Sequence, residues 1–406
     1  MNKWIIEFIL YSVYMIFGAA WATTGSIMPQ IMTDFNVNVA HAALMTNVIL
    51  WAKIVGSVCT AILTAKIGAR KSYLLGCLLI GCSTLIPFIN NFTLLLVIRF
   101  FGGLGGAICL VSLVPTIAIF FDKKTASTLN SFNCTSNIIG TIFALTLAGY
   151  LSTLLGGWKN LLASYGAITL ALGVLWFIFF KENLISNANQ RKTLTQQQKF
   201  DEIKLAISNR YVWGMIVQYM GAMVMIIFMF TFLPLYYAKY AHLPADSYAH
   251  FSGTFNQVGI LLGAIIGPLC KQKDYHYKSW LFGSSIVMAF TTFIMLFATN
   301  DILILLCSFL TGFIFATWFA FIFSIPKELI KNATNITITY AMSAFWFCTF
   351  IGATISSQII AWSIDKTGGF SMGFTYVFTL MIISPIIAFF VFPKRNAKIK
   401  QTTILS

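Results

Sequence analysis

Two basic residues stand inside otherwise apolar runs, and they set the chemistry this chain can offer. Lys53 sits in "ILWAKIVGS" (Ile49 to Ser57), and Arg99 opens "RFFGGLGGA" (Arg99 to Ala107). A lysine presents a compact point charge, whereas the planar fork of an arginine keeps its charge and matches a carboxylate or another oxyanion. In "LNSFNCTSNIIGT", Asn130, Asn133 and Asn137 recur at i, i+3 and i+7 and share one helical face, which Thr141 extends. Asn256 and Gln257 stand together in a later apolar run, and Tyr219, Trp318 and Trp346 offer either aromatic walls or packing. Such groups recognise small anions or the carboxylate of a zwitterion. An organic cation would need an embedded acid instead. Covalent catalysis has no foothold, since the chain shows no nucleophile elbow, phosphate loop or metal-ligand cluster. No enzymatic activity, metal or cofactor is expected.

The elements that must position these residues follow from composition. The 406 residues are 58% hydrophobic and 9% charged, against about 25% charged in a soluble domain. Apolar runs of roughly twenty residues recur throughout, each long enough to cross a hydrocarbon core of about 30 Å. Hydropathy and turn residues predict twelve helices at 6 to 29, 41 to 65, 73 to 89, 93 to 120, 126 to 152, 159 to 180, 211 to 237, 246 to 270, 279 to 298, 302 to 325, 335 to 362 and 371 to 392. The first is read as a retained helix, because it lacks a small-residue cleavage site. The longest polar interruption divides the chain into a six-helix bundle over 1–180, a basic linker over 181–210, and a second six-helix bundle with a short tail over 211–406. Within the linker, 195–208 reads as an amphipathic helix on anionic lipid or as a solvated connector. The eight cysteines fall in apolar runs as packing residues, and the four histidines lie at run ends or in loops.

Charge fixes the expected orientation. With the N-terminus inside, twenty-one of the 26 basic residues fall on the cytoplasmic side, while only Lys159, Lys239 and Lys366 fall opposite. Both termini are therefore expected in the cytoplasm, by the excess of Lys and Arg in inner loops. Scattered through loops and tails, the net charge of +15 marks topology rather than nucleic-acid binding.

Lys53 and Arg99 are the two basic residues that topology leaves over. Lys53 is about 18 Å from either end of its predicted helix, beyond the reach of a lysine stem. All eleven acids lie in loops or near span ends, Glu7 included, so no carboxylate is expected at its depth. Either the lysine is held neutral by the cost of desolvation, or backbone oxygens, water or an anionic ligand balance it. For Arg99 the alternatives are an oxyanion or nearby carbonyls, and for the asparagine stripe a substrate path or helix-to-helix hydrogen bonds.

Several stretches resemble the major facilitator superfamily. "AILTAKIGARKS" (Ala61 to Ser72) resembles that family's loop between its second and third helices, with Lys66, Gly68, Arg70 and Lys71 in register; Ala61, Ala65 and Ala69 replace a glycine, an aspartate and an arginine. Arg99, Gly103 and Gly105 match its Arg-x-x-x-Gly-x-Gly pattern, "MTDFNVNVAHAALMTNVI" resembles its entry to the second helix, and "GWKNLLASYG" and "DKTGGF" resemble its entries to helices six and twelve. The resemblance implies twelve helices in two six-helix repeats around a central site, with gating or coupling at Lys66, Gly68, Arg70, Lys71, Arg99, Gly103 and Gly105. Substrate contact is expected at Lys53, Arg99, Asn133, Asn137, Asn256, Gln257 and Trp346.

The expected function is alternating-access transport of a small polar, anionic or carboxylate-bearing metabolite across a bacterial inner membrane. Its partners are the substrate, the lipid bilayer and, where coupled, protons; the expected state is a monomer. Proton coupling would run through Lys53, a loop acid or the substrate's own proton. The alternatives are an exporter of a metal chelator or drug, disfavoured by the lack of a Gly-Pro signature in "GTIFALTLAG", and a membrane sensor without turnover.

Overall fold

The structure, a computed structural model, describes residues 3–180, 196–239, 247–272, 277–331 and 333–392. Its helices are α1 (Lys3–Phe35), α2 (Val39–Gly81), α3 (Phe92–Phe120), α4 (Lys123–Leu154), α5 (Trp158–Phe179), α6 (Gln196–Ile207), α7 (Arg210–Thr231), α8 (Leu233–Lys239), α9 (Ser252–Gln272), α10 (Tyr277–Phe297), α11 (Asp301–Ile322), α12 (Ile325–Leu329), α13 (Asn335–Thr367) and α14 (Ser371–Val391). Twelve stretches are long and apolar enough to span a membrane. The chain is thus an all-α, multi-pass integral membrane protein of two sets of six spans, a form dictated by the need to pair every backbone group away from water.

Helix boundaries depart from the hydropathy reading where single residues intervene. The second and third predicted helices are one element, α2, interrupted only at Gly68, whose φ of 81° and ψ of 162° break the helical run. Only glycine takes that conformation without steric cost, so the turn between the Val39–Gly56 and Arg70–Phe88 spans needs no loop. The predicted helix over 211–237 breaks between α7 and α8, where Pro234 removes a donor and its ring crowds the preceding turn. Pro326 similarly sits at the start of the short α12, after α11 has ended at Ile322. Elsewhere the expected ends hold through side-chain caps: Asp122 accepts from the Thr125 N–H (3.1 Å), and Thr334 with Thr337 forms a capping box at α13.

In the linker, a helix forms over α6 and docks on α13. Glu202 accepts hydrogen bonds from the hydroxyls of Thr334 (3.0 Å) and Thr337. Residues 181–195 lie outside those described.

With twelve spans among the described residues, Lys3 and Phe392, the first and last of them, lie at one face, here called the terminal face. The first six spans meet the last six along two seams, α2 against α13 and α4 against α9, with α1 touching α7 and α8. Toward the opposite face these seams are tied. Asp365, near the end of α13, accepts from the N–H groups of Val39 (3.0 Å) and Ala40 (2.8 Å) in the first turn of α2. Asn47 donates to Gln358 Oε1 (3.0 Å), and Gln358 returns a hydrogen bond to the Ala40 carbonyl (3.2 Å). Across the other seam the Thr146 and Thr254 hydroxyls pair at 3.1 Å, and where α1 touches α7 the Trp21 ring meets Phe230 edge-on at 5.2 Å.

Candidate functional site

Lys53 is only 6% exposed and lies where the two sets of spans meet. Its ammonium stands 3.5 Å from the Trp21 ring centroid, 5.2 Å from Phe17 and 5.8 Å from Phe350. Phe17 and Trp21 come from α1, one turn apart, and Phe350 from α13, so rings of both halves surround the charge. A desolvated cation over an aromatic face gains about 2 kcal/mol or more. A lysine at mid-membrane costs about 2.5 to 3.5 kcal/mol on insertion scales. The rings therefore offset a large part of that cost. The sequence reading left a neutral lysine or a balancing carbonyl, water or anion as alternatives; the ring faces are neighbours that it did not name. The signal was present in the i, i+4 pair of Phe17 and Trp21, residues that hydropathy counts only as apolar.

Trp346 joins this group through Phe350, on which it stacks with centroids 5.3 Å apart. Tyr219 packs against Trp346 (5.9 Å), Phe345 (4.9 Å) and Phe315 (5.3 Å). An aromatic wall thus runs from Lys53 into the last six spans. Trp318 is buried at the far end of this wall, 6.2 Å from Phe315 between ring centroids, its indole N–H donating to Ser284 (2.7 Å).

Arg99 is 3% exposed and committed to α1: Nη1 donates to the Ala20 carbonyl (3.0 Å) and Nη2 to the Thr24 hydroxyl (2.5 Å). Its Nε has no partner, and a cavity of about 10 Å³, the size of one water, lies among Arg99, Phe17 and Trp21. The arginine therefore braces the turn of α1 that carries Trp21. Gly103 brings α3 onto α2 at the same level, since a Cβ there would meet the Ala52 Cβ at 2.8 Å and the Ile49 Cα at 2.9 Å. Gly105 does the same toward the third span, with the Ile80 nitrogen at 2.9 Å.

The amides serve helix contacts. Asn133 donates to Glu7 Oε1 (2.6 Å) and to the Leu129 carbonyl (2.9 Å). Asn137 packs on Gly18 of α1, and its amide nitrogen has no partner. Asn256 donates to the Ser308 carbonyl of α11 (3.1 Å) and lies against Gly312. Gln257 is buried beside it at 6% exposure. The Asn130 and Lys66 side chains lie outside the described residues. In the turn at Gly68, Arg70 donates to the Phe177 carbonyl and lies 4.1 Å from the Phe177 ring, fastening the third span to α5, while Lys71 is exposed.

One acid near a helix start, Glu7 at the beginning of α1, is buried. Glu7 is 5% exposed, with one oxygen on Asn133 and the other without a partner. Its position on the same face of α1 as Leu10 and Tyr14 (i+3, i+7) carried that signal.

Two sets of six spans packed along common seams are the architecture of a membrane transporter. The family model described as Major Facilitator Superfamily matches residues 10–340. This chain belongs to the major facilitator superfamily, and it is a transporter, not an enzyme. It is 35% identical over 314 residues to the uncharacterized protein Cj0987c of Campylobacter jejuni, covering 77% of this chain and 96% of that protein. Its fold is similar to the inward-open xylose transporter XylE from E. coli (TM-score 0.74, 15% identity, 97% of each chain covered). It is also similar to a bacterial homolog of the human lysosomal transporter Spinster in an inward-facing, occupied conformation (TM-score 0.74, 12% identity, 96% of each chain covered).

Proposed function

We propose that this protein is a secondary transporter of a small anionic or carboxylate-bearing metabolite, acting as a monomer in a bacterial inner membrane with both termini in the cytoplasm. The observation that carries this reading is Lys53: a buried ammonium, held by ring faces from both halves. An aromatic cage steadies the cation without spending its hydrogen bonds, so an incoming carboxylate can claim them. Two further buried donors near the same turn of α1 lack partners, the Trp21 indole N–H and the Asn137 amide. Donors left over in an apolar setting favour a ligand rich in acceptors. The one-sided distribution of basic residues supports the orientation, and the ties at the face opposite the termini support a state closed to the outside.

In this reading the substrate exchanges with the cytoplasm in the state described, and rocking of the halves breaks the outer ties and exposes Lys53 to the other side. Uptake of radiolabelled carboxylates into proteoliposomes, with and without an imposed pH gradient, tests both substrate class and coupling. Accumulation of an anionic metabolite that is lost in Lys53→Ala is expected. Flux that is indifferent to Lys53, or confined to cations or neutral sugars, overturns the reading. Stimulation by an inward proton gradient identifies the coupling ion; its absence assigns facilitated diffusion or exchange.

A further inference from the structure

The α2–α13 seam carries a groove of about 490 Å³ on its outward side, walled by Leu44 and Trp51 of α2 and by Ile355, Ile359 and Trp362 of α13. The Asn47–Gln358 amide pair forms its floor. Trp51, Ile355 and Trp362 are 45%, 51% and 49% exposed, although all three belong to membrane-spanning helices. Hydrocarbon therefore has direct access to the groove.

Its length and its end point to one occupant. Ile355, Ile359, Trp362 and Lys366 stand at i, i+4, i+7 and i+11, one face of α13 rising about 16 Å, close to half of a hydrocarbon core of about 30 Å. The groove itself, lined on α13 from Thr354 to Trp362, rises about 12 Å, and with Lys366 one turn beyond it the face covers about the depth of one leaflet. At its outer end the Lys366 ammonium lies 4.8 Å from the Trp362 ring, an indole and a cation at the level where headgroups begin. The neighbouring Asp365 has both oxygens on the N–H groups of α2, which leaves Lys366 as the charge offered to a ligand on this side of α13. His41, on the same face of α2 as Leu44, is exposed at the same end.

We propose that this groove binds an anionic phospholipid, one acyl chain lying along Ile355, Ile359 and Trp362 and the phosphate at Lys366. One wall belongs to each half, so the site exists only while the seam is closed. A lipid that binds one state and not the other stabilises that state, and this lipid therefore favours the conformation closed at the face opposite the termini. The inference stands apart from the identity of the transported substrate.

The test uses the full chain in phosphatidylcholine liposomes containing either brominated phosphatidylglycerol or brominated phosphatidylcholine at equal mole fraction, with tryptophan emission as readout. Because the chain has ten tryptophans, the signal of the groove is the quenching lost in Trp51→Phe and Trp362→Phe. Brominated phosphatidylglycerol should quench this component at lower mole fraction than brominated phosphatidylcholine, and Lys366→Ala should reduce the preference about fivefold, the worth of one surface cation toward an anionic leaflet. Ile355→Phe, which fills the groove from its wall without adding an emitter, should reduce quenching by both lipids. Equal quenching by the two lipids in the unaltered protein overturns the proposal, as does a preference that persists in Lys366→Ala. Lys366 is exposed, so its variant keeps the fold, and gel filtration in detergent verifies this before reconstitution.

Discussion

Asp365 and Ala40 lie 325 residues apart and are joined by a 2.8 Å hydrogen bond from the Ala40 N–H to Asp365 Oδ2. With Val39 on the other oxygen, the carboxylate of one half caps the first turn of a helix in the other. The N-terminus of α2 attracts negative charge and presents donors with no partner within the helix, so this contact opposes opening of the outer face. Asp365→Ala should remove about 1 kcal/mol of closed-state preference, and Asp365→Asn, itself a good cap, should retain most of it. Labelling of a cysteine placed on the outer part of α2 reads this as about a fivefold rise in accessibility for the alanine variant. Equal accessibility in both variants would show that the cap does not hold the gate.

Lys53→Met separates function from stability. Removing a buried charge while keeping its volume is often neutral or stabilising by about 1 to 4 kcal/mol. The variant should melt at or above the temperature of the unaltered protein and transport no anion. Lys53→Arg should retain binding with altered selectivity, since the charge stays and the point donor becomes a fork.

The Trp21–Lys53 contact predicts a coupling energy. A double-mutant cycle over Trp21→Leu and Lys53→Met, read by thermal unfolding in detergent, should give an interaction of about 1 to 2 kcal/mol. Strict additivity would mean that the ring and the ammonium do not stabilise one another.

Glycines sort by what a methyl group would meet. Gly103→Ala pushes α3 off Ile49 and Ala52 and should cost about 1 to 3 kcal/mol with loss of transport. Gly149→Ala and Gly283→Ala enter open space within helices and should be neutral or stabilising by up to about 1 kcal/mol. Expression level and melting temperature of the three variants check the contrast.

Most of the fold was legible because a membrane makes hydropathy nearly sufficient: apolar length alone located the twelve spans, and Gly103, Gly105 and Gly106 of "RFFGGLGGA" proved to be points of close helix approach. The breaks were less legible, since Gly68 and Pro234 act through backbone geometry that a hydropathy window averages away. At the site, Lys53 was conspicuous by its charge, but its partners were not, because Phe17, Trp21 and Phe350 count only as apolar until they are placed around a cation. Asn133 and Glu7 show the complementary limit: the sequence left the amide stripe between a substrate path and helix-to-helix hydrogen bonds and put Glu7 near a helix start, and only the facing of α1 and α4 makes the two each other's partner.

Trp21 turns its face to Lys53 and its edge to Phe230 of the opposite half. One rigid indole therefore reads two things at once: whether the ammonium is occupied elsewhere, and how near the halves stand. In the proposed cycle, an anion that drew the ammonium away would loosen the same side chain that packs between the halves. Cargo and gate would then share a single pivot, and loading would reach the closure without any longer relay.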